Sequence, residues 1–277
     1  MSTAASTTAD AGWHAELDLE FTADGSRTVL SKRRHCGPLM VQRPFYPEGE
    51  VCHCYVIHPP GGIVGGDRLD IRVTAERGAH VVMTTPAAGK FYRSDGRRAQ
   101  LSQRIEVNDA VVEWLPQESI FFGESQVRMQ TRVQVRGNAK FLGWEVACYG
   151  RPASGDTFAT GCVFQGFELW RDAVPLVLDQ LRLDGAHPMM QSPWGLAGYG
   201  VLGTLLAYPA GEPEVQAVRS IAVAAGHLTA TLVDGVLVCR CLAHHTHLAK
   251  DTLLSVWKQL RPSMLGREAA LPRVWAT

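Results

Sequence analysis

VRMQTRVQVR, residues 127–136, alternates strictly, with Arg128, Gln130, Arg132, Gln134 and Arg136 on one side of an extended chain. A period of two is the signature of a half-buried strand, because successive side chains point to opposite faces. The pattern recurs outward from this segment. HAELDLEF (14–21) puts Ala15, Leu17, Leu19 and Phe21 on one face, and RLDIRV (68–73) turns Leu69, Ile71 and Val73 inward. Strands with one wetted face pair most simply as antiparallel neighbours. Further β-branched or aromatic runs, separated by Gly, Pro, Asn and Asp, fall at 51–58, 79–85, 100–107, 110–115, 140–148, 162–170, 176–183, 227–232 and 236–242. Helical spacing occurs at 213–224, after Pro213 in a first turn, and at Leu253, Val256, Trp257 and Leu260, where Pro262 is expected to stop the helix. No internal repeat of fixed period is visible. The expected architecture is one mainly β domain over 13–277, with stacked, largely antiparallel sheets and about two helices in the C-terminal third, preceded by a disordered Ser/Thr/Ala-rich tail at 1–12.

Composition narrows the function classes. Basic and acidic residues balance at 27 each, which gives no field to gather nucleic acid or an anionic membrane surface. The N-terminus lacks the basic and apolar regions of a signal peptide, and no apolar stretch reaches the ~20 residues of a membrane span, so a cytoplasmic location is expected. The 7 cysteines include Cys52/Cys54 and Cys239/Cys241, each pair on one strand, where same-face side chains splay apart; reduced thiols are expected.

Metal-capable side chains crowd residues 40–69, MVQRPFYPEGEVCHCYVIHPPGGIVGGDRL. On a strand Cys52, Cys54 and His58 share a face and His53 takes the other, so these three are the weak candidate metal ligands, against packing as small apolar groups. His244, His245 and His247 form a second cluster ahead of the last helix. GGIVGGD has Asp67 where a phosphate loop needs lysine and leads into a strand, which removes nucleotide binding. No G-x-S-x-G elbow exists, and no catalytic residue is assigned. TTPAAGKFYRSDGRR (84–98) offers Lys90, Phe91, Tyr92 and Arg93 as partner-interface candidates, aromatics among cations being enriched at interfaces; a solvated hairpin is the alternative.

Five co-linear blocks, QRPFYPEGEVCHCYVIHPPGGIVGGDRL, TTPAAGKFYRS, LPQESIFFG, GRPASGDTF and RPSMLGREAALPRVWAT, resemble the UreD (UreH) family of urease accessory proteins across nearly the whole chain. The resemblance implies an elongated β-rich scaffold without turnover of its own. It implies binding to UreF directly, to the GTPase UreG through UreF, and to apo-urease, into which nickel is inserted. It also implies an internal watered passage for the ion. Cys52/Cys54 and the HHTH segment are not hallmarks of the family.

A conduit must hold Ni²⁺ loosely, which single carboxylates with retained water do better than a Cys/His cage. Acids set in or beside apolar β segments are the conduit candidates: Glu50, Asp67, Glu145 and Asp179, with Arg151 or Arg182 as possible ion-pair partners. No cofactor is expected to bind permanently; Ni²⁺ passes in transit. The alternatives are a passive adaptor between urease and UreF, or a Cys/His metalloenzyme.

Overall fold

The computed structural model describes residues 12–276. The expected tail at 1–12 therefore lies, but for Gly12, outside the described residues.

Leaving the first strands aside, the chain alternates between two sheets. β4 (Cys52–Ile57), β6 (His80–Thr84), β9 (Val111–Trp114) and β12 (Lys140–Tyr149) enter one sheet; β5 (Arg68–Ala75), β8 (Ala99–Asn108), β11 (Gln126–Arg136) and β13 (Cys162–Arg171) enter the other. Because each strand returns to its own sheet by way of the opposite one, successive members run the same way. Thus β5, β8, β11 and β13 pair in parallel, as do β4, β6, β9 and β12. The parallel run extends to β1 (His14–Asp24), which pairs with β5; antiparallel pairing takes over at the flank, where β2 (Arg27–Cys36) pairs with β1 and β3 (Met40–Val41) with β4. On the other side it involves β14 (Val174–Asp184), β15 (Val201–Tyr208), β16 (His227–Val233) and β17 (Val236–Ala243). The short β7 (Gly89–Phe91) and β10 (Ser119–Phe121) join the larger sheet through β12. The mainly β class stands, with mixed sheets whose centres are parallel.

The coil also corrects the reading that nothing repeats. At the corners between β5 and β6, β8 and β9, and β11 and β12, Gly78, Asp109 and Gly137 have φ of 79°, 47° and 62°. The corners stack: Gly78 N–H donates to Asp109 (3.0 Å), and Asp109 N–H donates to Arg136 (3.1 Å). Each corner is followed closely by a buried alanine, Ala79, Ala110 and Ala139, spaced roughly 30 residues apart, a solenoid-like interval.

Two helices, α1 (Glu212–Arg219) and α2 (Thr246–Leu265), lie on the outer face of the larger sheet. α2 runs through Pro262 to Leu265 and ends where Gly266, in the left-handed conformation, donates its N–H to Pro262. The proline sits in the final turn, where its missing N–H removes one bond without stopping the helix. Two apolar layers result. One lies between the sheets; the other, with Leu253, Val256, Trp257 and Leu260, lies between the larger sheet and α2. Among the described residues no helix is long and apolar enough to cross a membrane.

Candidate functional site

Because β12 is sandwiched between the two layers, both its faces are buried, and its parity decides where each side chain goes. Leu142, Trp144, Val146 and Cys148 face the helix layer, while Phe141, Ala147 and Tyr149 face the other sheet. Glu145 shares parity with the second set. Its carboxylate therefore enters the layer between the sheets, where it is only 2% exposed. There it accepts from the Thr131 hydroxyl and from Gln165 Nε2 at 3.1 Å. Thr131 Oγ1 also lies 2.9 Å from Gln103 Oε1, and Tyr149 donates to Gln165 Oε1 at 3.0 Å. Among the described residues no cation pairs with Glu145. Burial, helped by the Asp179 charge and opposed by the Thr131 and Gln165 bonds, pushes its carboxyl up to about 7. Thr131 has one proton for two acceptors, and a protonated Glu145 relieves that shortage.

Two cavities meet this cluster from different sides. One of about 280 Å³ lies under β13, β14, β15 and β17, with Gln165, Asp179 and Thr204 in its wall and exposed Trp194 and Thr229 at its rim. The other, about 140 Å³, lies under β5, β8, β11 and β12; Gln103 and Glu145 line its floor, and His58, Gly61 and Lys90 its mouth. The Glu145–Gln165 hydrogen bond joins the wall of one to the floor of the other.

The remaining sequence candidates scatter. Asp179 lines the larger cavity but is paired with Arg240 at 2.7 Å, a cation the sequence did not suggest. Arg151 instead pairs with Asp156, and Arg182 with Asp184. Glu50 is exposed and bound to Arg267. Asp67 is buried as a turn brace, accepting the Trp13 and Val64 amides at 2.9 and 3.0 Å.

Cys52 and Cys54 pack into the inter-sheet core. Burial pushes the Cys52 thiol up to about 11 and Cys54 further still. His58 stands half-buried, its basicity lowered by burial against the pull of Asp67. These three do not converge. Among the described residues the one group of three metal-capable side chains within reach of a common ion is His14, Glu16 and Asp70, where Arg68 also holds Asp70 at 2.8 Å. His244 stacks on Tyr199, and His245 on His247.

The interface set divides. Lys90 and Arg93 are exposed. Phe91 is a correction: it is 1% exposed and stacked on Phe121 at 5.1 Å, so its ring is core and unavailable to a partner. Tyr92 is half-buried, its hydroxyl donating to Gly61.

Sequence reasoning missed the polar groups that flank Glu145, since Gln103, Thr131 and Gln165 look like ordinary strand residues. Their inward parity is the only available signal. It also missed a buried ion network under α2. Glu113 accepts from Trp257 (2.6 Å) and Arg261 (3.0 Å) and contacts His80 (2.7 Å); Arg261 continues to Glu48 (2.7 Å), which meets His53 at 2.7 Å.

Comparison with known proteins adds the family signal. The family described as UreD urease accessory protein matches residues 14–276. The chain is 43% identical to the urease accessory protein UreD of Citrobacter koseri, covering 100% of this chain and 96% of that protein. It is 45% identical to the UreD of an Azoarcus species (97% and 96% covered) and 40% identical to that of Klebsiella pneumoniae (96% and 96%).

Proposed function

Since the chain belongs to the UreD family of urease accessory proteins, we propose that it serves urease maturation as a non-catalytic scaffold that passes Ni²⁺ between its two sheets toward the apo-urease active site. In this reading it binds UreF directly and UreG through it, any GTP hydrolysis belonging to UreG, in the cytoplasm. The observation that carries the proposal is the pair of cavities separated by the Glu145–Gln165 contact.

The chemistry suits an ion in transit. Glu145 supplies one carboxylate without a competing cation, and Gln103 and Gln165 supply neutral amide oxygens nearby. One anionic ligand plus retained water binds Ni²⁺ weakly enough to release it, whereas thiolates would trap it. The cavity volumes allow the ion to keep part of its water shell, each water taking about 30 Å³. Asp179, held by Arg240, offers a second carboxylate that an arriving dication frees from its guanidinium.

The test plugs the two cavities with Ala88→Trp, beside Lys90 in the lining of the smaller one, and Thr229→Trp at the rim of the larger and, separately, replaces the central acid by Glu145→Leu. Binding to UreF and apo-urease is measured beside the nickel content of the matured urease. Retained binding with a fall in nickel of tenfold or more is expected. Normal nickel content with partner binding intact in all variants refutes conduction and leaves the adaptor reading.

A further inference from the structure

We infer that the outer face of the seven-stranded sheet is a docking surface for an acidic helix of a protein partner. The inference is independent of ion conduction. In the parallel register Arg72 of β5 stands beside Arg104 of β8, and Arg104 beside Arg132 of β11. All three are exposed. Like charges on directly neighbouring strands repel, and such a row is normally broken by a carboxylate.

Here the carboxylates that could break it are committed elsewhere. Asp18, next to Arg72, pairs with Lys32 at 3.3 Å. Glu168, next to Arg132, accepts from Gln130, Trp170 and Gln180 at 2.9–3.2 Å. Glu106 on β8 pairs with Arg136 at 3.1 Å. Arg132 is braced by lying 4.0 Å over the Trp170 ring and, among the described residues, makes no ion pair or side-chain hydrogen bond. Among the described residues neither Arg72 nor Arg104 makes an ion pair or side-chain hydrogen bond. A depression of about 360 Å³ lies over Arg104 and Arg132, floored by Gln130 and Gln134.

Spacing selects the occupant. Strands lie about 4.8 Å apart, so the row of three spans about 10 Å across the sheet. Carboxylates at i, i+4 and i+7 of a helix climb about 10 Å along one face, at 1.5 Å per residue. An extended acidic strand repeats its same-face side chains every ~6.7 Å and falls out of step. A long polyanion such as nucleic acid would run past the row onto Asp18 and Glu168, and the chain has a formal net charge of +0 to attract it. The fitting ligand is a helix lying across the strands with three carboxylates on one face.

The experiment uses the full chain and two helical peptides of identical composition, one with glutamates at i, i+4 and i+7, the other with them distributed around the helix. Fluorescence anisotropy at low and physiological salt reads the affinity. The in-register peptide should bind at least tenfold more tightly than the distributed one. Arg104→Glu should abolish that preference, whereas Arg43→Glu, on an exposed loop away from the row, should keep it. Circular dichroism confirms that the variants fold, as expected for exposed positions. Equal affinity for both peptides, an unchanged affinity in Arg104→Glu, or displacement by an oligonucleotide of equal charge at equal concentration would each overturn the inference.

Discussion

At the scale of single residues, Glu145 sets a testable relation between pH and stability. In the unfolded chain its carboxyl ionises near 4.5, whereas in the fold burial holds the proton to about 7. A folded-state pKa raised in an acid means that the unfolded state binds fewer protons between these values, so stability falls as pH rises through that window. Glu145→Gln removes the titration and keeps the shape; the new amide oxygen still accepts from Gln165 Nε2, and its N–H donates to the Thr131 hydroxyl, which donates on to Gln103. The variant should match the wild type near pH 4.5 and exceed it by up to about 3 kcal/mol at pH 8, measured by urea denaturation. An equal margin at both pH values would mean that the carboxyl does not titrate in this window.

The cysteines give a second prediction at the same scale. Five are buried, while Cys36 is exposed and Cys162 half-buried. Burial raises the thiol pKa of Cys52, Cys54, Cys148, Cys239 and Cys241, which keeps them protonated and unreactive. Ellman's reagent at pH 8 should titrate Cys36 at once and Cys162 slowly, the other five appearing only after denaturation. Glu145 was legible in the sequence because a lone acid in FLGWEVACYG has to be explained by its surroundings. Glu50 and Asp67 were misplaced because proximity to apolar runs does not say whether a carboxylate points out or braces a turn.

Among the elements, α2 is held by a buried charge network. Arg261 is fully buried between Glu113 and Glu48. Burial raises the pKa of both acids, but His80 and Arg261 outweigh it at Glu113, and His53 and Arg261 at Glu48, so both stay below the usual range. Carboxylates with depressed pKa values contribute stability that is present above about 4.5 and lost as pH falls through their folded values. Arg261→Met strands two buried anions and should cost about 3–5 kcal/mol at pH 7, a gap that narrows toward pH 4 as they protonate. Trp257 and Trp275 fluorescence reports the transition, their rings being 6.5 Å apart beside this network. A gap that stays constant with pH would mean that Arg261 acts through packing alone. The amphipathic spacing of α2 could be read from Leu253, Val256, Trp257 and Leu260, but its anchors could not, since Glu48 and Glu113 lie far away in the chain. β2 escaped for a different reason: RTVLSKRRHC is almost wholly exposed and lacks alternation. β15, VLGTLLAY, is buried on both faces and lacks it as well.

Over the whole molecule, half-buried alternation identified sheets without specifying their direction, because a strand with one wet face looks the same in parallel and antiparallel company. The coil was written in the corners, Gly78–Ala79, Asp109–Ala110 and Gly137 to Ala139, rather than in the strands between them. Winding leaves a layer between the sheets that is not uniformly filled. Voids of this size cost stability through lost packing, and a fold selected for stability alone would fill them. Thr204 is 4% exposed in the wall of the larger cavity, and Thr204→Leu adds apolar volume there. It should raise stability by about 0.5–2 kcal/mol, or Tm by roughly 2–6 °C. If the void is the ion's route, the same substitution lowers the nickel delivered to urease while UreF binding persists. Differential scanning calorimetry and the nickel content of urease read the two effects. A rise in Tm with undiminished nickel would show that the cavity is spare volume, and the passage would have to lie elsewhere.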